Sequence, residues 1–521
     1  MKKFSLVIPA FKAAALLPRC LASIQDQDYK EKEIIVILDG ADKAAENVLK
    51  TYPDVIYRVI EHGGAPKARN EGFTLATGDY IEFLDADMFL YPGSLRSFAE
   101  AFEDHPECGF IYGGYKYSET GFYPSQEFDP YMLEINNYID GNFPMRKEVF
   151  PGWDEKCKSL QDWDMWLRIV KAGVKGFYLK DQYFFEKADP KPGSISWDSH
   201  NNWMERKKYV QDKLGLPKRQ ICLTSLAAPH HAKRVAKILN YDYCDSFYLN
   251  AKPHEYKAVV LIGFFVPQAV QNAEVFKDGS VNPSRNRDIK KFIYWIGTDA
   301  LQMSNTPVGF AALKAIIAAM NKEYIQFCQP LIEKELKDMG LNVIKMPLPV
   351  EVAVKDVPLP KDFTVAIYDH GQNDIYNMPI MESLVKTLPD INFVFFGDPR
   401  KVGDSGLQNL KFLGHVPIDE IIAQSSVLLR ITKHDGYPVA PIEFLCQGRV
   451  TITNQDMPFT IKADIDLLHE KGVIDGKRDI IKKLRELKKK YVEKKFIEEG
   501  ILFYQDQLNP EHLKKEIESR L

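Results

Sequence analysis

Short apolar runs rich in valine and isoleucine occupy residues 5–9, 33–38, 55–60 and 79–84, with segments of helical period such as residues 17–24 between them. This alternation predicts βαβ units, and so α/β layering around a largely parallel sheet. It weakens across residues 194–216, where a polar, tryptophan-containing stretch and the basic triplet Arg206, Lys207 and Lys208 lead to Gly215 and Pro217. A first boundary is placed there. The pattern then restarts twice, with apolar runs at 220–224, 258–265 and 292–295 in one set and at 363–368, 392–396, 427–432 and 450–453 in another. Residues 346–361 between the sets hold four prolines and little periodicity, as a connector does. The expected organisation is residues 1–215, two Rossmann-like subdomains at 219–350 and 362–475, and a basic helical tail at 476–521. In the tail Ile480, Leu484, Leu487 and Tyr491 share one helix face, which reads as packed on the preceding subdomain, with membrane-surface docking as the alternative.

Composition narrows the classes. With 45% hydrophobic and 27% charged residues, large-scale disorder is excluded. A net charge of -4, from 68 basic and 72 acidic residues, gives no overall pull toward nucleic acid or anionic membrane. Seven cysteines without a C-x-x-C pair read as buried thiols in a reducing compartment, against a disulfide framework or thiolate zinc site. Two lysines precede an apolar stretch at the start, but Pro9, Lys12 and Pro18 interrupt it, so it reads as a strand and helix rather than a secretory signal. The longest apolar run, 258–266, is about half of the roughly 20 residues a spanning helix needs. The expectation is a cytoplasmic protein with no transmembrane segment and no nucleic-acid partner, in at most peripheral contact with the inner face of the membrane. No G-x-G-x-x-G follows any of these strands and no G-x-x-x-x-G-K-[ST] occurs, which disfavours nicotinamide dehydrogenases and P-loop NTPases.

The most informative stretch is residues 78–87, GDYIEFLDAD, where an apolar strand runs into Asp85 and Asp87. Strand alternation puts both carboxylates on one side, at the carboxyl end of a parallel strand where α/β sheets bind ligands. Two hard oxygen donors there suit Mg²⁺ or Mn²⁺, which also takes oxygens from a substrate diphosphate. A bare D-x-D is also what a solvated turn looks like. It has company here: a first strand ending in Val-Ile-Pro9, EIIVILDGAD with Asp39 at a strand end, APKARNEGFTLATG over residues 65–78, and Gln161-Asp162-Trp163 opening a helix.

With these five features in order, residues 1–215 closely resemble inverting, family-2 glycosyltransferases of GT-A fold. The resemblance implies transfer of a sugar from a nucleotide-diphosphate sugar to a hydroxyl of a glycan or lipid-linked glycan, in surface glycan or polysaccharide synthesis. Pro9, Asp39, Arg69, Asp85 and Asp87 would bind the donor, with Asp39 accepting a hydrogen bond from the base and Asp87, with Asp85, holding Mn²⁺ or Mg²⁺. Asp162 would be the catalytic base, and Asp87 the metal-binding residue of the same catalytic set. Two plainer readings stand beside these: Arg69 anchors a helix N-terminus, and Asp162 caps the helix beginning at Trp163, with Asp164 at its acidic end. Lys191 stands where many relatives carry a metal-binding His, and His200 is the candidate replacement. No Q-x-x-R-W occurs, which implies single-sugar addition.

Residues 435–443, DGYPVAPIE, with FVFFGDP at 393–399 and FLGHVP at 412–417, resemble retaining, family-4 glycosyltransferases of GT-B fold. There Glu443 would hold the ribose and Asp435 would face the donor sugar, with no metal. Gln372 and Met378 stand where relatives place a diphosphate-binding Arg and Lys, Ile296 where they often place a His, and Lys433 and Arg400 are the substitute cations. The second module is then either a second transferase or a catalytically silent carbohydrate- or nucleotide-binding scaffold that positions acceptor for the first.

Overall fold

The structure is a computed structural model. It describes residues 2–521 apart from 124, 193–201, 226–227, 245–255, 264–289, 297–313, 315–316, 319, 323, 370, 372, 405 and 468. His200 and Gln372 lie outside the described residues. The chain separates into two compact units, Met1–Lys218 and Arg219–Leu521.

The first unit holds β1 (Phe4–Ala10), β2 (Lys32–Asp39), β3 (Val55–Ile60), β4 (Tyr80–Phe83), β5 (Phe89–Leu90), β6 (Cys108–Tyr117), β7 (Gly121–Tyr123), β8 (Met145–Arg146) and β9 (Lys175–Lys187). They form one sheet in the order β3-β2-β1-β4-β8-β6-β9-β5, with β7 paired to β6. The expectation of a largely parallel sheet applies to β1–β4; β8 runs antiparallel to β4 and β6, and β5 antiparallel to β9. The sheet is therefore mixed. Strands of two residues such as β5 and β8 are too short to leave a periodic trace in the sequence. Phe4, Leu6, Val7 and Ile8 of β1 are wholly buried, as befits a strand covered on both faces. From β1 the chain runs outward to β3 and then returns to β4 on the other side, so the strand order reverses at β1. That reversal opens a crevice beyond the carboxyl ends of β1 and β4, where open α/β sheets take ligands.

One residue of β4 runs against its surroundings. Both Glu82 carboxyl oxygens are buried without a hydrogen-bond partner, and burial pushes its pKa well above the usual carboxylate range. A buried carboxyl without a partner typically costs about 1–3 kcal/mol. Glu82→Met, which keeps the length and removes the polar atoms, is expected to raise the unfolding free energy of this unit by that order, read as a raised midpoint in urea. A lowered midpoint would show that the carboxyl has a partner such as a buried water.

The second unit contains two sheets. Strands β10 (Ile221–Thr224), β11 (Asp242–Tyr243), β12 (Ala258–Ile262), β13 (Lys290–Trp295), β14 (Ile325–Cys328) and β15 (Val343–Lys345) pair in parallel in the order β11-β10-β12-β13-β14-β15. Strands β16 (Thr364–Asp369), β17 (Asn392–Gly397), β18 (Val402–Asp404), β19 (Leu410–Gly414), β20 (Val427–Arg430), β21 (Val450–Thr453) and β22 (Ile461–Lys462) form the other, parallel except for β18. Residues 346–360 between them form neither helix nor strand. They are held by the wholly buried Arg449, which donates to the carbonyls of Val357 at 2.9 Å and Pro358 at 2.7 Å.

The basic tail folds into helices Glu470–Lys489, Lys494–Gln507 and Pro510–Glu518, so residue 476 falls inside a helix. Ile480 and Leu484 are wholly buried against the second sheet's core. The last helix instead packs on Pro229–Leu239 beside the first sheet. There Tyr241 Oη donates to Glu518 Oε1 at 3.1 Å. Among the described residues no helix is long and apolar enough to cross a membrane, and all seven cysteines are buried thiols.

Candidate active site

Beyond the carboxyl ends of β1 and β4 lies a cavity of about 410 Å³. Pro9 at the end of β1, Arg69, Asp85, Asp87 and Asp162 all line it, together with Asp140 and Lys187. Five of the residues picked out in the sequence thus meet in one place. The route differs from the one expected: β4 ends at Phe83, and Asp85 to Asp87 form a turn rather than a continuing strand. Strand alternation therefore does not orient the pair.

Arg69 does that for Asp85. It projects from the helix Ala65–Leu75, lies 4.6 Å over the Trp153 ring, and donates to Asp85 Oδ1 at 2.7 Å and to Gln161 Oε1 at 3.1 Å. Arg69 joins the D-x-D turn to the start of the helix Gln161–Lys171, and through Gln161 it also anchors that helix's N-terminus. Asn70 holds the neighbouring loop, exchanging hydrogen bonds with the backbone of Trp153. Asn142 completes the cradle by accepting from the Asp85 amide at 3.1 Å and donating to Asp140 Oδ1 at 2.5 Å. Burial works to raise the Asp85 pKa, but the charges of Arg69 and Lys187 outweigh it and hold the carboxyl below its ordinary value. At Asp87 nothing reverses the burial, and with Asp85 repelling it the pKa is pushed up to about 6.

Asp162 sits in the first turn of an amphipathic helix whose Trp163 and Trp166 are wholly buried. Leu160, at the N-cap, adopts φ 58°, a left-handed conformation unusual for a bulky residue. It provides no side-chain cap. Asp162 Oδ1 accepts from the Trp163 amide at 2.9 Å, so the carboxylate meets one free N–H of the first turn while facing the cavity. Burial, then repulsion from Asp140, raise its pKa. Gly141 makes room for it, since a Cβ there would stand 2.9 Å from the Asp162 Cβ. Two residues on, Asp164 has the structural part. It is wholly buried between Arg168 at 2.8 Å and Lys213 at 2.6 Å.

Asp39, expected to contact the base, is held by the neighbouring loop. Its buried carboxylate accepts from the amides of Gly63 at 2.7 Å and Gly64 at 2.9 Å and meets His62 Nδ1 at 3.0 Å. Beside it His62 stacks on the exposed Phe11 ring at 4.4 Å. Asp140 and Lys187 were missed in the sequence, because neither belongs to a motif. They form an ion pair inside the cavity, with the ammonium 4.5 Å over Tyr115 and 5.3 Å over Tyr117.

The second unit has a cleft of about 420 Å³ lined from both sheets, by Arg234, Ile296 and Gln329 on one side and Tyr368, Arg430 and Glu443 on the other. Burial raises the Glu443 pKa against the opposing charge of Arg234. The substitute cations expected for a diphosphate are elsewhere: Lys433 is exposed and absent from the lining, and Arg400 is paired with Asp398 at 2.8 Å. Asp435 is tied to the buried Arg430 at 2.8 Å, which itself lies 5.3 Å over the Tyr376 ring. Met378 is buried at a helix start and Ile296 is in the lining. Of the cations that do reach the cleft, Arg430 lies in the run 427–432 that was read only as a strand, and Arg234 lies in no segment singled out in the sequence.

Comparison with known proteins bears on the first unit. Residues 5–153 match the family model described as Glycosyl transferase family 2. An uncharacterized glycosyltransferase of Haemophilus influenzae is 23% identical over 265 residues, 48% of this chain and 84% of that protein. A PGL/p-HBAD biosynthesis glycosyltransferase of Mycobacterium tuberculosis is 29% identical over 175 residues, 32% of this chain and 68% of that protein. An uncharacterized glycosyltransferase of Rickettsia conorii is 26% identical over 222 residues, but only 36% of its length is spanned. Among solved structures, S. aureus TarS 1-349 aligns with a TM-score of 0.33 at 16% identity over 41% of this chain and 65% of that one. The chain thus carries a glycosyl transferase family 2 domain on a mixed α/β, Rossmann-like sheet, and it is a glycosyltransferase enzyme.

Proposed function

We propose that the first unit performs metal-assisted, inverting transfer of a sugar from a nucleotide-diphosphate sugar to a hydroxyl acceptor on a glycan or lipid-linked glycan. The observation that carries this is the presence of Asp85, Asp87 and Asp162 on the walls of one cavity at the strand-order reversal. The acceptor oxygen attacks the anomeric carbon, its proton passes to Asp162, and the bond to the diphosphate breaks with its electrons leaving on the diphosphate. Burial favours such a base, because a raised pKa improves proton acceptance.

The donor set fits a divalent cation. Four carboxylates, of Asp85, Asp87, Asp140 and Asp162, face two cations, Arg69 and Lys187, in the lining, a net deficit that one dication balances. Among the described residues no group of three or more His, Cys, Asp or Glu side chains forms an all-protein metal cage. Asp87 and Asp85 would hold such an ion, leaving room for substrate oxygens and water, the usual pattern for Mg²⁺. Such an ion would neutralise charge on the leaving diphosphate. A panel of nucleotide sugars scored for nucleoside diphosphate release with and without Mn²⁺ tests the reading; no release from any donor would overturn it.

For the second unit, the Arg430–Asp435 pair favours the silent-scaffold reading over a second transferase. An acid neutralised by a buried guanidinium does not face a donor sugar as an open carboxylate. We infer a GT-B-type module that holds a nucleotide through Glu443 without turning it over. In a full-length Asp87→Ala chain, metal-independent nucleotide binding should persist. Adding Glu443→Gln should weaken it about tenfold or more, the loss of a charge-assisted hydrogen bond. If Asp87→Ala alone removes all nucleotide binding at millimolar concentration by calorimetry, this cleft takes no nucleotide.

A further inference from the structure

The ion pair Asp140–Lys187 lies in the same cavity as the catalytic candidates, and the chemistry proposed above leaves it without a task. Lys187 ends β9, and Phe185 and Lys187 lie on the sheet face that carries Tyr115, the Phe185 and Tyr115 rings being stacked at 5.4 Å. Its ammonium is held by Asp140 and covered by two tyrosine faces. An ammonium has three donors, and a π-face takes part of a cation's charge without using up an N–H. The charge acts on Asp85, Asp87 and Asp162 alike, which places it centrally among the groups that would bind donor and acceptor.

The other cation in the lining is committed. Arg69 gives Nη1 to Gln161 and Nη2 to Asp85, with its guanidinium 4.6 Å over Trp153 and only the buried Nε left without a partner. With four carboxylates around the cavity, a diphosphate entering it meets net negative charge, and one dication only brings the walls to neutrality. Holding the further charge that develops on the diphosphate as the sugar leaves calls for a second positive group that is not locked in a bidentate clamp. A lysine suits this task, being a point charge on a flexible stem, whereas an arginine fork is fixed by its partners.

We propose that Lys187 is a donor-binding residue whose ammonium takes an oxygen of the diphosphate, with Asp140 holding the side chain in place beforehand. This rests on the nucleotide-sugar reading of the first unit and adds to it a specific contact to the leaving group. Asp140 is then a positioning residue, acting on the donor through Lys187.

The test is binding of nucleoside diphosphates, in a panel of UDP, GDP, ADP, CDP and dTDP with Mn²⁺, against the matching nucleosides, to the full-length chain, with the metal-independent binding assigned to the second unit subtracted by a titration without Mn²⁺. Wild-type binding of at least one diphosphate tests the parent reading, and its absence overturns both. Given such binding, Lys187→Met should lower diphosphate affinity about ten- to a hundredfold, as loss of a charge-assisted contact does. Nucleoside affinity should be unchanged and Lys187→Arg should restore a large part of the loss. Because Lys187→Met leaves Asp140 buried and unpaired, the double variant Lys187→Met with Asp140→Asn is measured too, its folding checked by circular dichroism. A folded double variant with wild-type diphosphate affinity overturns the proposal, as does an equal loss for nucleoside and diphosphate, which would make Lys187 a structural counter-ion to Asp140.

Discussion

Asp162→Asn is expected to lower sugar transfer by about 10²- to 10⁴-fold while leaving nucleotide affinity within a factor of about two, since removing a general base costs that much and binds no donor. Asn keeps the oxygen that accepts from the Trp163 amide, so the first turn retains that hydrogen bond. It also removes a buried carboxyl that Asp140 repels, so thermal stability should stay level or rise. A base that is costly to the fold and needed for the reaction shows that opposed pattern. The outcome against it is equally definite. A fall in thermal midpoint with parallel loss of binding and turnover would make Asp162 a helix-start residue and nothing more. The raised pKa adds a pH signature: at Mn²⁺ concentrations that saturate the site throughout the range, kcat/KM should fall on the acid side as Asp162 takes up its proton, and the Asn variant should lack that limb.

Asp87→Ala, or chelation with EDTA, is expected to reduce turnover by at least about a hundredfold, because charge on a leaving diphosphate then loses several kcal/mol of stabilisation. The mutation and the chelator should not be additive if both act by removing the same ion. With the Asp87 pKa pushed up to about 6 by burial and by Asp85, protons compete for the ligand in an accessible range. A metal needs the carboxylate, so apparent Mn²⁺ affinity should be flat above about pH 7 and fall by about tenfold per unit below the pKa. Titration calorimetry or Mn²⁺ relaxation at several pH values reads this directly. Full activity in EDTA, or Mn²⁺ affinity independent of pH between 5 and 7 (about two pH units, spanning the pKa), would remove the metal from the site.

The sequence made the cavity legible because its parts sit at element ends, where side-chain chemistry departs from periodicity. Pro9, Asp85 and Asp162 interrupt apolar patterns, and such interruptions are visible. What could not be read was which partner each group would find. Asp162 and Asp164 look alike on paper, yet Arg168 and Lys213 claim one and the cavity the other. Asp39 stands at a strand end as a base-binding residue would, and two glycine amides donate to its oxygens. Lys187 ends a long strand in an ordinary polar run, and only the pairing of β9 with β6 sets it over Tyr115 and Tyr117. In the second unit the strands β10, β12, β13, β16, β17, β20 and β21 and the Pro-rich connector were evident from periodicity, whereas β11, β14, β15, β18, β19 and β22 were not. The Arg430–Asp435 pair was not, although only five positions separate its members, because a basic residue at the end of an apolar strand has no pattern of its own.

The last helix bears on how the second unit can move. Its two sheets are joined covalently through residues 346–360, which Arg449 staples to the second sheet. They are joined again where Pro510–Glu518 lies on Pro229–Leu239 and Tyr241 meets Glu518. A third tie joins them where His434 Nε2 meets Glu335 Oε2 at 2.8 Å. The walls that carry Arg234 and Glu443 are thus braced at three places along the chain, and widening the cleft has to stretch or break at least one of these contacts.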